Sequence, residues 1–117
     1  MAAPNILTST TVTGKTAVQA VTTAATAIIT NSSGSNKLIK INMLFISNID
    51  STTDCNISVE LYRSSTSYFM IKSSTIPAAS SMDLISKTLY LEEGDALRLT
   101  ASANSLLQAV CSYEEVV

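Results

Sequence analysis

Apolar residues alternate with polar ones along most of this chain, which is the pattern of β-strands with one face in a core and the other in water. The alternation is cleanest over residues 55–63, where every second residue from Cys55 to Leu61 is apolar. Residues 89–100 alternate on both sides of an acidic corner that contains Gly94. This pattern predicts a hairpin closed by a type I turn and a bulge, with the glycine at positive φ.

Two other segments are less regular. Residues 37–48 begin by alternating and become continuously apolar from Met43 to Ile46. Such a run predicts either a central strand whose far end is covered on both faces or a contact between subunits. The alanines of residues 18–30 would tolerate a helix, but the threonine content and the polar loop that follows at residues 31–36 favour one strand.

Seven or eight strands are predicted in total, at spacings of roughly 8 to 15 residues and with no convincing helix. Residues 64–67 predict a hairpin loop of about four residues. Pro77 indicates a connection rather than a strand, because it cannot donate a backbone hydrogen bond. Further strands are predicted at residues 68–72, 82–87 and 107–117. The fold class is therefore predicted as all-β, an antiparallel, jelly-roll-like β-sandwich that forms one domain over residues 17–117.

Residues 1–16 are interpreted as an N-terminal arm. Their threonines and serines favour β-structure but are too polar to begin a core. We expect the arm to be loose, or to pair with a sheet edge of its own or of a neighbouring subunit. The first residues lack the basic start and apolar run of a signal peptide, and no stretch approaches the roughly 20 apolar residues of a membrane span. We therefore expect no membrane partner.

Composition indicates a surface that is poor in charge. Hydrophobic residues make up 46% of the chain and charged residues 14%, while 33 of the 117 residues are serine or threonine. The net charge of −2 and the scattering of seven Lys and Arg argue against a nucleic-acid partner, because phosphates require a basic patch. Weakly charged surfaces repel one another little, so we expect a homo-oligomer, with a trimer as one candidate.

The residue types needed for catalysis are scarce. The chain has no histidine, which removes the commonest general base and most zinc sites. No serine lies in a G-x-S-x-G motif. Cys55 and Cys111 are too few for a structural zinc site, and buried free thiols are favoured over a disulfide between them. The chain is therefore predicted not to be an enzyme, with no catalytic residue, no metal and no cofactor.

One acidic cluster could in principle carry chemistry. Glu92, Glu93 and Asp95 are candidates for a glycosidase carboxylate pair or a calcium site, but neighbouring residues on a turn point in different directions. A solvated turn is the favoured interpretation. The enzyme alternative requires that these carboxylates face a pocket together with Arg63 or Arg98.

The candidate interface residues are apolar or aromatic positions of the arm, of the apolar run and of the hairpin near residue 64. They are Ile6, Leu7, Val12, Met43, Leu44, Phe45, Ile46, Tyr62, Tyr68 and Phe69. The aromatic residues of the hairpin could also stack on a sugar, although ordinary cross-strand aromatic pairing is favoured.

Four segments carry a family resemblance, at residues 6–17, 61–66, 91–104 (LEEGDALRLTASAN) and 110–115. Together they resemble small virion structural proteins of marine tailed bacteriophages, notably those infecting cyanobacteria. The resemblance spans nearly the whole chain and implies a virion component that decorates or cements the capsid. It implies assembly in the host cytoplasm and other virion proteins as partners. A neck or tail component and a fibre-tip sandwich that binds carbohydrate or receptor are the alternatives, and the motifs imply no site residue.

Overall fold

The computed structural model describes residues 7–8, 11–85 and 87–117, and these residues contain nine β-strands. None of the described residues belongs to a helix that is long and apolar enough to cross a membrane. The strands are β1 (Val12–Val21), β2 (Thr26–Thr30), β3 (Leu38–Asn48), β4 (Cys55–Arg63), β5 (Thr66–Ile76), β6 (Ser81–Ile85), β7 (Leu89–Leu91), β8 (Ala96–Ala101) and β9 (Leu107–Val116).

The strands form two antiparallel sheets that enclose one core. In the five-stranded sheet, β1, β9 and β3 are neighbours in that order, and β6 and β7 both pair with the other side of β3. In the four-stranded sheet, the order is β2, β8, β4, β5. With β6 and β7 counted as one interrupted strand, this is the strand order of a jelly roll. The predicted antiparallel, jelly-roll-like sandwich is confirmed.

The core is aliphatic. Each strand turns roughly every second side chain inward, as the alternation predicts. The largest fully buried side chains include Ile41, Leu44, Ile46, Ile57, Ile76, Leu91, Leu97, Leu99 and Leu107. The four tyrosines and two phenylalanines are all absent from the buried set, so the aromatic residues lie at or near the surface.

The hairpin predicted over residues 89–100 is not formed. β7 pairs with β3 in one sheet, while β8 pairs with β2 and β4 in the other, so residues 92–95 cross between the sheets. Leu91 and Leu97 are both fully buried, and they reach the same core from opposite sides. Their matching alternation therefore reflects a shared core rather than a shared ladder. Gly94 has the predicted positive φ, at 89°.

Two connections also differ from the prediction. The segment 18–30 is two strands rather than one, because β1 and β2 lie in different sheets. The loop between β4 and β5 has two residues rather than about four. Ser64 and Ser65 have φ values of 51° and 59°, and two successive positive values are the signature of a type I′ hairpin turn.

The apolar run of β3 is explained by a β-bulge. The pairing of β3 with β9 shifts between Ile41 and Met43, which changes the phase of the alternation. Ile41 points inward before the bulge, and Leu44 and Ile46 point inward after it, so Met43 and Phe45 face outward. The run is therefore a change of phase, and not a strand end covered on both faces.

The predicted arm overlaps the sandwich. Residues 12–16 form the first half of β1, which pairs with β9 from Val12 opposite Val116 to Val21 opposite Leu107. Pairing with a sheet edge of its own subunit, one of the three expected alternatives, therefore describes this half of the arm. Residues 1–6, 9 and 10 lie outside the described residues.

Candidate interaction surfaces

The outer face of the five-stranded sheet carries a row of apolar side chains. Val18 of β1 lies opposite Val110 of β9, and Val110 lies opposite Phe45 of β3. These side chains are 74%, 38% and 37% exposed. The residues beside them in the adjoining registers are uncharged, namely Thr16, Ser112 and Met43 on one side and Ala20, Gln108 and Ser47 on the other. We name Val18, Val110 and Phe45 the outer row.

The outer row is a contiguous surface rather than three scattered residues. Directly opposite residues in neighbouring strands have side chains in contact range, so the row runs across three strands without a polar interruption. It ends at Asp83 of β6, which lies opposite Phe45. A depression of about 310 Å³ lies beside it between β1 and β9. Contiguous apolar surface of this kind marks an interaction site more often than single exposed residues do.

The structure divides the ten candidate interface residues. Phe45 and Met43 belong to the outer face, whereas Leu44 and Ile46 are fully buried. Placing these two at an interface was wrong, because the bulge turns them into the core. Leu7 and Val12 are 90% and 57% exposed, and Ile6 lies outside the described residues.

Val18 and Val110 are the outer-row members that the sequence prediction missed. Both stand at outward positions of their strands, where alternation normally places a polar residue. An apolar residue at a predicted outward position was therefore the sequence signal that could have identified Val18 and Val110. The two valines form a continuous surface because the strand register places them opposite each other.

The aromatic residues near the β4–β5 turn are neither gathered in a groove nor paired with one another. The guanidinium carbon of Arg98 lies 4.1 Å from the ring centroid of Tyr62, and Lys72 Nζ lies 4.2 Å from that of Phe69. Tyr68 is 56% exposed and lies opposite Leu61. The cross-strand partners of Tyr62 and Phe69 are Ser67 and Glu60, so the expected aromatic pairing was wrong.

Arg63, Glu92 and Asp95 meet at one end of the sandwich. Arg63 Nε donates to Asp95 Oδ1 over 2.7 Å, and its Nη2 donates to Glu92 Oε2 over 2.9 Å and also to Asp95 Oδ2. The backbone N–H of Glu92 donates to Asp95 Oδ2 over 2.8 Å. Asp95 is only 1% exposed, so the solvated-turn interpretation was wrong for this residue, although it describes Glu92, whose side chain is 57% exposed.

The electrostatics of this cluster are those of a structural ion pair. Burial acts to raise the pKa of Asp95, but the hydrogen bonds from Arg63 and from the Glu92 N–H outweigh it and hold that pKa below its ordinary value. The hydrogen bond to Asp95 likewise raises the pKa of Arg63. A carboxylate kept ionised in a bidentate ion pair is neither a ready proton donor nor a free nucleophile. The cluster fastens the crossing between the sheets to the end of β4.

Arg63, Glu92 and Asp95 line a depression of about 420 Å³, together with Ser33, Ser64, Glu93 and Gly94. The three carboxylates therefore face a depression together with Arg63, as the enzyme alternative requires, but Arg63 is already bound to Asp95 and Glu92. Arg98 does not line the depression, and its Nε lies 3.0 Å from Oε1 of the buried Glu60. The carboxylate oxygens of Glu93 are buried and have no hydrogen-bond partner within the described residues. Among all the described residues, no three His, Cys, Asp or Glu side chains lie close enough together to hold a metal ion.

Cys55 and Cys111 are free thiols, as the sequence favoured, and both are buried. They belong to opposite sheets, on β4 and β9. Burial raises the pKa of Cys111 to about 12, so this thiol stays protonated and unreactive in the folded protein.

The outer row and the Arg63 cluster differ in what they offer a partner. The outer row exposes apolar surface with no binding partner among the described residues, whereas the polar groups of the Arg63 cluster already bind one another. No protein-family model matches this chain, and no curated protein matches it either.

Proposed function

We propose that this protein is a non-enzymatic structural component of a bacteriophage virion, which decorates or cements the capsid. The observation that carries the proposal is the outer row, which presents apolar side chains where a solvated sheet face presents polar ones. Covering such a surface releases about 25 cal/mol for each Å² of apolar area removed from water. A lattice of neighbouring subunits offers that cover permanently.

The distribution of charge supports a static, adhesive role. Glu115 is shared by Lys15 and Lys37, and Lys40 lies 3.7 Å from Glu114. Charges that are paired within the subunit contribute little to steering a mobile ligand or a nucleic acid. The partners proposed are therefore other virion proteins and further copies of this chain.

Fold and resemblance support the same proposal by analogy. Jelly-roll sandwiches are common among viral capsid proteins, although they also occur in lectins and cupins. The resemblance to small virion proteins of marine tailed phages spans nearly the whole chain. A neck or tail position would use the same adhesive surface and differs only in location.

The test is attachment of the purified protein to particles that lack it, prepared from the phage that encodes it. Phe45→Asp places a charge in the outer row and should weaken attachment at least tenfold, while the melting temperature stays close to that of the parent. Phe69→Asp is the matched control, because Phe69 is an exposed phenylalanine on the other sheet, at 47%. Equal attachment by both variants, or no attachment by the parent, contradicts the proposal. Loss only with Phe69→Asp would place the attachment surface on the four-stranded sheet and contradict the role of the outer row.

A further inference from the structure

The open edges of the two sheets are not equivalent. β2 has only five residues and a register shift, β5 has two register shifts against β4, and the edge formed by β6 and β7 is broken into two short strands. Short strands and bulges prevent a foreign strand from pairing with an edge. β1 has neither protection, because its ten residues run without a register shift.

The unused backbone groups of β1 follow from its pairing. Thr11 and Val117 exchange both of their backbone hydrogen bonds, with N···O distances of 3.4 and 2.9 Å. Such doubly bonded pairs alternate along an antiparallel ladder, so the odd-numbered residues of β1 bond to β9. The N–H and C=O groups of the even-numbered residues point to the open edge, where no backbone partner occurs among the described residues. These residues are Val12, Gly14, Thr16, Val18 and Ala20.

The neighbouring edge is treated differently. Gln19 extends from β1 toward the other sheet, and its Nε2 donates to the carbonyl of Ala27 on β2 over 3.0 Å. This bond gives a carbonyl of β2 a side-chain donor from β1. Among the described residues, no side chain forms an equivalent hydrogen bond to the edge-facing N–H and C=O groups of the even-numbered residues of β1.

Gly14 lies within β1 for no reason that the subunit itself provides. The pairing is regular at this position, φ is not in the left-handed region, and an added Cβ would meet no atom within 4 Å. Glycine inside a strand weakens it, and often marks a place where another chain approaches closely. No described residue approaches Gly14 in this way, so an approaching chain would have to come from outside the subunit.

We propose that β1 pairs antiparallel with β1 of a second copy of this chain, about a twofold axis that passes between the two copies of Thr16. In this register Gly14 lies opposite Val18 of the partner subunit, and Val12 lies opposite Ala20 of the partner subunit. All five residues with free edge groups are then paired. Val18, which is 74% exposed, covers the bare backbone of the glycine, and the two outer rows lie on one continuous sheet face.

Charge and area fit a second copy. Lys15 is the one charged residue of β1, and Glu115 holds it at 2.9 Å, so two copies bring no unpaired charge to the axis. Ten residues of strand span about 33 Å, and the sandwich is 19 Å across its shortest dimension. A contact across that full length and width would cover at most about 600 Å² on each subunit and about 1,200 Å² in total, at the lower end of the range for specific interfaces. This inference rests on the edge of β1 alone, and not on attachment to a virion.

Thr16→Pro tests the pairing. The N–H of Thr16 faces the open edge, so a proline at this position removes no hydrogen bond to β9. In the dimer, proline in both copies removes both hydrogen bonds of the central pair. In analytical ultracentrifugation, the parent should form a dimer in a concentration-dependent way. Thr16→Pro should weaken the dimer at least tenfold with little change in melting temperature.

A cysteine pair provides a second test that does not depend on proline being tolerated. Thr16→Cys places a thiol on the axis, where paired Cα atoms about 5.5 Å apart are within disulfide range. Ala20→Cys is the matched control on the same strand and face, and its two copies would lie about 27 Å apart. Mild oxidation should cross-link Thr16→Cys and not Ala20→Cys.

Three results would overturn the pairing: a parent that remains monomeric at every concentration, a dimer that Thr16→Pro leaves intact, or equal cross-linking by both cysteine variants. The first is also the result expected if a different protein or residues 1–10 occupy the edge. Because none of these measurements involves phage particles, their failure leaves virion attachment to be judged by its own assay.

Discussion

Removing the guanidinium of Arg63 should destabilise the protein and reverse part of its pH dependence. Arg63→Met keeps the aliphatic stem but leaves the buried Asp95 carboxylate with only the Glu92 N–H as a partner. Breaking a fully buried pair in this way costs about 3–5 kcal/mol. The Arg63 side chain is 42% exposed, so water can replace part of what is lost. We expect a loss of about 2 kcal/mol at neutral pH.

The pH dependence follows from the direction of the Asp95 pKa shift. In the parent, the folded-state pKa of Asp95 is lowered, so its contribution to stability is present above the unfolded pKa of about 3.9 and is lost as pH falls through the folded pKa. In Arg63→Met, burial remains and the main opposing bonds are gone, so the pKa of Asp95 rises. Protonation of Asp95 then removes the cost of an unpaired buried charge in the variant. The difference in unfolding free energy between parent and variant should therefore shrink as pH falls toward 4 and below.

Urea unfolding followed by far-UV circular dichroism measures both effects, since the chain has no tryptophan. Lys40→Met is the matched control, because its ion pair with Glu114 is 3.7 Å long and both side chains are about one-third exposed. That variant should lose less than about 0.5 kcal/mol. A loss in Arg63→Met no larger than in Lys40→Met, or a difference that is constant from pH 7 to pH 3, would refute the reasoning.

Three further predictions concern the core and the ends of the sheets. Asn48→Ala should lower the free energy of unfolding by about 2 kcal/mol in urea titrations, because its buried amide donates to the carbonyls of Thr53 in a loop and Ile76 at the end of β5 over 2.9 and 3.0 Å. Leu44→Ala should cost about 2–5 kcal/mol by the same assay, whereas Phe45→Ala should cost less than about 1 kcal/mol. Cys55 and Cys111 should react with a thiol reagent only at the rate of unfolding, and a fast reaction in native buffer would contradict their burial.

Alternation predicted the strands better than their partners. The segment 55–63 coincides with β4, and the class of fold follows from the repeated pattern. The pattern records only which side chains face a core, and in a sandwich both sheets face the same one. For that reason the strands on either side of Gly94 were assigned to one hairpin, although they lie in opposite sheets.

The candidate interaction surface was harder to predict than the fold. Val18, Phe45 and Val110 are far apart in sequence, and they form a row only through the register of three strands. The bulge of β3 determines which alternate residues of its apolar run are exposed. The sequence gives little sign of such a bulge, because it consists of a single inserted residue. The position of Asp95 on a turn predicts a solvated side chain, but its bonds to Arg63 join two segments that only the fold brings together.

The proposed virion role can be tested directly by an electron-microscopy map of intact phage particles, if a phage is found to encode this protein. The account predicts jelly-roll density on the capsid, repeated with its lattice, with the outer face of the five-stranded sheet turned against a neighbouring virion protein. Particles that lack the protein, or density in which Phe45 and Val110 face open solvent, would contradict it.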